Sequence, residues 1–225
     1  MLTNYKVILW DFDGVILDSA RVRDQGFVDV LADYPDEQVD RLLAFHRRNG
    51  GLSRYVKFRH FHEEILRQNI TEEGVNELAR QFSEVMLRHL TDRSLLITDA
   101  VTFIRSFSDR IRMHVVSGSD QKELRYLCRE LGIADHFVSI HGSPTPKNQL
   151  VRDLLAEHRY DLRSVCLIGD SGNDHEAARV NHIDFFGYNN PELRGKGRGY
   201  IEAFTSANTT GGADAGAGLI VKLND

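Results

Sequence analysis

Apolar and polar positions along this chain switch between two periods. Near the start, Lys6-Val7-Ile8-Leu9-Trp10 is a short apolar run ending in Asp11, the pattern of a buried parallel strand that delivers a carboxylate at its carboxyl end. Met113-His114-Val115-Val116 running into Ser117-Gly118-Ser119 repeats the layout, as does Val165-Cys166-Leu167-Ile168 running into Gly169-Asp170-Ser171-Gly172. Helical spacing follows each, from Glu123 to Leu131 and from His175 to Val180. Alternating strand and helix predicts an α/β fold, a Rossmann-like parallel sheet flanked by helices. Ligands of such sheets sit beyond the carboxyl ends of the strands, where all three polar clusters fall.

Between Ser19 and about Arg93 the strand signal gives way to apolar residues at helical spacing, as in Val56, Phe58, Phe61, Ile65 and Leu66, or Leu78, Phe82, Val85 and Met86. Pro35, Asn49-Gly50-Gly51 and Thr71-Glu72-Glu73 punctuate this stretch, which predicts about four helices. Residues 18–93 therefore read as a helical insertion in a core made of residues 1–17 and 94–204. Beyond Asp99 the pattern predicts a helix through Val101 to Phe107, a strand at Phe137 to Ile140, a helix from Lys147 to Glu157 and a last strand near Ile183 to Gly187. Ser206 to Gly218 is rich in Gly, Ala and Thr, so residues 205–225 are expected to be a flexible tail. Docking of Leu219-Ile220-Val221 as an edge strand is the less favoured reading.

Composition narrows the function. The 225 residues carry a net charge of -5, no global field for nucleic acid or an anionic membrane. No apolar run approaches a bilayer span, and Met1 to Lys6 lacks the layout of a signal peptide, so a cytoplasmic protein without membrane or nucleic-acid partners is expected. Cys128 and Cys166 fall in apolar segments and read as buried, structural thiols. His60 and His62, two apart on a helix, face different ways and read as packing residues.

The polar clusters carry the chemistry. Asp11-Phe12-Asp13-Gly14 sets two carboxylates two apart at a strand mouth, so both face one pocket if strand geometry persists. One ionised carboxylate can attack phosphorus while its neighbour, kept protonated, donates to the leaving oxygen; proximity splits the pair into acid and base. Gly169 to Asp174 adds Asp170 and Asp174, and acids gathered there would repel a phosphate unless a hard cation sat among them. Magnesium fits that need. Ser117-Gly118-Ser119 offers a hydroxyl and backbone amides for phosphate oxygens at an expected helix start. Lys147 stands at another expected helix start, against the helix dipole, where an amine can neutralise a carboxylate and a phosphoryl group.

In this order, each after a strand, the four elements resemble the motifs of the haloacid dehalogenase superfamily. The resemblance implies Asp11 as nucleophile, Asp13 as general acid and base, and Ser117 and Lys147 as phosphoryl binders. It also implies Asp170 as a magnesium ligand supported by Asp174, with Asp11 and the backbone carbonyl of Asp13 completing the metal site. Relatives often carry a Lys-Pro-x-Pro element whose lysine position here is Ser143; Lys147 is expected to reach the same point. The insertion resembles the cap of the subgroup containing phosphoglycolate phosphatase and β-phosphoglucomutase, a lid over the substrate. Gly51-Leu52-Ser53-Arg54 resembles the mutase's specificity loop, which makes Arg54 a contact for a second anionic or hydroxyl group. Arg23 stands where the mutase carries a histidine, a difference that favours hydrolysis. Gly51, Gly118 and Ser119 complete the expected substrate contacts. The expectation is thus a magnesium-dependent phosphatase of a small phosphorylated metabolite, acting as a monomer or weak homodimer. A phosphomutase is the alternative, and a non-catalytic binding protein a more remote one.

Overall fold

Every residue of the Val7–Trp10 run is buried, and the run forms strand β1 in the interior of the sheet, third of seven strands. The structure is a computed structural model describing residues 2–206 and 217–223, with side chains through residue 204. Strands β2 (Arg112–Asp120), β3 (Ser139–Ser143), β4 (Val165–Gly169), β5 (Asp184–Tyr188), β6 (Gly199–Ser206) and β7 (Ala217–Leu223) complete it in the order β3-β2-β1-β4-β5-β6-β7. All neighbouring pairs are parallel except β6 with β7. Successive side chains of a strand point to opposite faces, which divides the core in two. Val7 and Leu9 pack with α7 (Lys147–His158) and α8 (Gly172–Val180), whereas Ile8 and Trp10 face α5 (Thr98–Phe107) and α6 (Gln121–Glu130).

Helices α1 (Ala20–Val30), α2 (Asp36–Arg48), α3 (Arg54–His60) and α4 (Glu72–His89) form a cap. Its own core is aromatic: Phe27 lies 5.4 Å from Phe58 and 4.5 Å from Phe82, ring centre to ring centre. Thr71 caps α4, its hydroxyl accepting from the Gly74 amide. His60 stacks on Phe45, and His62 lies edge-on to Tyr34. The two chain crossings into the cap run side by side, Asp18 N donating to the Leu95 carbonyl and Ile97 N to that of Ile16. This short ribbon is the cap's covalent attachment to the sheet.

Three expectations need correction. The strand expected at Phe137 to Ile140 begins at Ser139, because Ala134–His136 closes a 3-10 turn that Phe137 ends. Strand β2 runs on through Ser117-Gly118-Ser119, and α6 starts after them because the Asp120 carboxylate accepts from the Lys122 and Glu123 amides and sets the cap there. Ile183 to Gly187 marks β5 but not the last strand. Two more follow, and Ala217–Leu223, expected in a flexible tail, pairs with β6 from Gly199 to Ser206. Of the Gly- and Ala-rich stretch only Ala217 and Gly218 fall in β7, and Leu219-Ile220-Val221 forms the edge strand that was the less favoured reading. The rest of that expected tail, residues 207–216 and 224–225, lies outside the described residues.

Candidate active site

Asp11 continues the β1 ladder, its amide donating to the Ile168 carbonyl at 2.9 Å, and the chain then turns at Gly14. Gly14 has φ +75°, and a Cβ there would stand 2.0 Å from Asp170 Oδ2. Only glycine fits both demands, so the β4 acid closes against the β1 turn. Asp174 enters from the first turn of α8. Its Oδ2 accepts from the Ser171 amide and hydroxyl, a reciprocal capping box that fixes the carboxylate. Lys147, the first residue of α7, reaches Asp11 Oδ1 at 2.7 Å and also donates to Asp174 Oδ1. The structure thus brings Asp11, Asp170, Asp174 and Lys147 together, and the amine extends from the helix start past Ser143.

Electrostatics follow from this crowding. Burial, and then the charge of Asp174, push the Asp11 carboxyl up to about 7 against the pull of Lys147. Burial and the Asp11 charge likewise hold Asp170 well above the usual carboxylate range. Burial would lower Lys147, but Asp11 and Asp174 keep it above an ordinary lysine. Carboxylate oxygens of Asp11, Asp170 and Asp174 lie within 4.8 Å of one another. Three carboxylates around one ammonium leave two negative charges in a poorly solvated site, and one divalent cation matches that deficit. The donor set therefore fits magnesium. Both Asp174 oxygens are engaged by Lys147 and Ser171, which leaves Asp11 and Asp170 with carboxylate oxygen open to a metal.

The Asp13 carboxylate lies outside that group. It accepts from Ser19 and Ser119 hydroxyls and from Arg23 Nε, the last at 2.6 Å. Burial alone would raise Asp13, but the Arg23 charge and these hydrogen bonds hold it below the usual carboxylate range. The pair of acids does split: the Asp13 carboxyl is held low and that of Asp11 high.

Between sheet and cap lies a cavity of about 220 Å³, lined on the sheet side by Asp11, Asp13, Ser117, Gly118, Ser119 and Asp170. The buried Ser117 Oγ accepts from the Ser119 amide at 3.1 Å, so the strand bulge, not a helix start, positions that hydroxyl. The cap side presents Arg23, Gly51, Arg54 and Lys57. Gly51 comes so close to Gly118 that a Cβ on the latter would lie 2.4 Å from the Gly51 carbonyl oxygen. Arg54, expected as a free substrate contact, is already engaged. Its guanidinium pairs with Glu123 Oε2 at 2.6 Å, donates to Ser83 Oγ and lies over the Phe82 ring. Arg23 shares the same glutamate at 3.2 Å.

Sequence reasoning missed Ser19, Lys57 and Glu123. Signals existed for two of them. Glu123 precedes buried Leu127 by four, one helix face, and Lys57 follows Arg54 by three on another.

A parallel sheet with acids at its carboxyl edge and a helical cap inserted after the first strand defines a hydrolase-like α/β core with a lid. The model of the haloacid dehalogenase-like hydrolases matches residues 5–181, and the chain belongs to that family. Solved structures of similar fold include β-phosphoglucomutase from Clostridium difficile, 14% identical, with TM-score 0.71 over 88% of this chain and 91% of that one. CbbY from Rhodobacter sphaeroides, solved with xylulose-1,5-bisphosphate, is 17% identical, with TM-score 0.67 over 84% and 89%. YfnB from Bacillus subtilis, solved with magnesium, is 15% identical, with TM-score 0.63 over 83% and 89%. At these identities the likeness is one of fold. No curated protein sequence matches the chain. Among the described residues no helix is long and apolar enough to cross a membrane.

Proposed function

We propose that this chain is a magnesium-dependent phosphatase of a small phosphorylated metabolite, with Asp11 as nucleophile and an aspartyl-phosphate intermediate. One observation carries the reading: Asp11 has one oxygen on Lys147 at 2.7 Å, no hydrogen bond from the described residues on the other, and Asp170 and Asp174 beside it. The open oxygen attacks phosphorus as the bond to the alcohol oxygen breaks. Asp13 donates a proton to that leaving oxygen and recovers one from the water that then attacks the acyl phosphate, which frees phosphate and restores Asp11. Arg23 and two hydroxyls hold Asp13 toward its ionised form, so Asp13 takes up a proton from solvent as substrate loosens these contacts, before the first transfer.

Asp11 and Asp170 would hold the magnesium, with the Asp13 carbonyl, and Asp174 would support them. Bound there, the ion screens the carboxylates from the substrate and draws charge from the phosphoryl oxygens. Lys147, the Ser117 hydroxyl and the Gly118 amide supply the remaining positive field. Most of the rate must come from such alignment and charge stabilisation, since a general acid contributes only about 10²- to 10⁴-fold. The solved complex of CbbY with a sugar bisphosphate supports a phosphorylated substrate of this size class.

The test is phosphate release from an aryl phosphate by the purified protein with and without magnesium. Turnover should require the ion and vanish in Asp11→Asn, which hardly alters side-chain volume. Full activity in that variant would refute the assignment, and formation of a sugar-phosphate isomer without free phosphate would make the protein a mutase.

A further inference from the structure

The cap side of the cavity carries one more positive charge than its partners can neutralise. Arg23 is matched by Asp13 and Glu123, Arg54 by Glu123, and Arg47 by Asp24 at 2.9 Å with much of its side chain in solvent. Lys57 has no such match. It is 3% exposed, it lines the cavity, and its only hydrogen bond among the described residues runs from Nζ to the Gly50 carbonyl at 3.1 Å. Two of its three N–H bonds are left without an acceptor. Burial, and then the charge of Arg23, push the amine down to about 7 against the pull of Asp13. With no carboxylate within ion-pair distance among the described residues, its charged form is favoured when an anion comes beside it.

Building on the proposed phosphatase reading, we infer that Lys57 is a specificity residue at the centre of a second anion subsite, so that the substrate is a phosphate monoester bearing a further anionic group. The geometry sets the two ends. The transferring phosphoryl group lies against Asp11 and Lys147 on the sheet, and the second group, a carboxylate or another phosphate, faces Lys57 across the cavity. Arg54 is a weaker candidate because Glu123, Ser83 and the Phe82 ring already hold its guanidinium. The cavity volume of about 220 Å³ suits a short, compact molecule and excludes a polymer segment.

Lys57 also ties down the loop at Gly50, and that role alone would affect every substrate alike. The experiment therefore measures preference, using two matched pairs with magnesium present. One pair is a phosphorylated short hydroxy acid and its primary amide; the other is a sugar bisphosphate and the corresponding monophosphate. In the wild type, kcat/KM should favour the doubly anionic member of at least one pair by roughly tenfold to hundredfold, the range of one charge-assisted hydrogen bond. The favoured pair identifies the anion. Lys57→Gln should shrink that preference to within about threefold, and Lys57→Arg should restore part of it. Hydrolysis without preference in the wild type, or a preference that survives Lys57→Gln, overturns the subsite and leaves the phosphatase reading standing. Absence of hydrolysis on all four compounds overturns the phosphatase reading itself. The wild-type comparison decides the matter even if the glutamine variant fails to fold.

Discussion

Glu123 is the place where a single neutral substitution should loosen the cap from the sheet. Its side chain is 1% exposed, on core helix α6, and receives two arginines from the cap: Arg23 of α1 at 3.2 Å and Arg54 of α3 at 2.6 Å. Glu123→Gln keeps the shape and removes the charge. Breaking a buried ion pair by deleting one partner is worth about 3–5 kcal/mol, because the surviving charge stays buried. Two guanidiniums lose a partner here, yet the figure should not double. Arg23 keeps Asp13, and Arg54 keeps Ser83 and the face of Phe82, 4.7 Å from ring centre to guanidinium carbon. The lower end, about 3 kcal/mol, is therefore expected. Against a stability of roughly 5–15 kcal/mol, the variant should still fold.

Urea unfolding followed by circular dichroism measures this directly. With a slope near 3 kcal/mol/M for a chain of this length, the midpoint should fall by about 1 M. Glu63→Gln is the control. Glu63 pairs with Arg59 one helical turn away at 3.3 Å, with both side chains more than a third exposed, so its loss should be no more than about 0.5 kcal/mol. Equal and small effects at the two positions would refute the view that buried charge pairing, and not apolar contact alone, holds the cap closed.

Gly14→Ala should leave the chain folded but cripple magnesium binding. The new methyl would meet Asp170 Oδ2 at 2.0 Å in a left-handed backbone, so Asp170 must swing away. A magnesium titration monitored by activity should show an apparent affinity at least about tenfold weaker, as typical of disturbed metal surroundings; an unchanged titration would contradict the placement. Asp13→Asn should slow turnover by about 10²- to 10⁴-fold. Aryl leaving groups need little protonation, so the first transfer should proceed while water attack stalls. A rapid-quench experiment should then show a burst of phenol and an accumulated phosphoprotein by mass; steady turnover at the wild-type rate would exclude Asp13 from proton transfer.

The first and last motifs were legible because each stands at a point where a continuous apolar run stops. Val7 to Trp10 ends in Asp11 and Val165 to Ile168 in Gly169-Asp170, and in a parallel sheet those endings fall along one edge whatever the rest of the chain does. The helical insertion was legible from spacing alone. Less could be read where a feature depends on what crosses from another segment. Arg54 reads as a free cation in its own helix, and only the arrival of Glu123, 69 positions later in the chain, neutralises it. The downward pull on Asp13 was illegible for the same reason, since sequence supplies its neighbour Asp11 but not the guanidinium of Arg23 folded back on it. Strand β7 was the less favoured reading because the Gly- and Ala-rich residues before it carry no strand pattern, whereas ladder hydrogen bonds use backbone groups, which every residue has.

These long-range pairings give the cavity an electrical direction. At the sheet end, Asp11, Asp170 and Asp174 outweigh Lys147; at the cap end, Arg23, Arg54 and Lys57 outweigh Asp13 and Glu123. An anion alone would settle against the cap, away from the nucleophile. A divalent cation among the carboxylates would remove that bias and make the sheet end attractive to a phosphoryl group, while the cap end stays positive. On the proposed reading the metal should therefore bind first, turning a site that repels phosphate into one that holds it beside Asp11. Closure then serves chemistry as well as shelter, because Coulomb interactions between fixed groups and substrate strengthen as water leaves. A cap that closed without Glu123 would leave Arg54 on Ser83 and Phe82 and Arg23 on Asp13 alone, so the Arg23 charge would hold Asp13 more tightly in its ionised form.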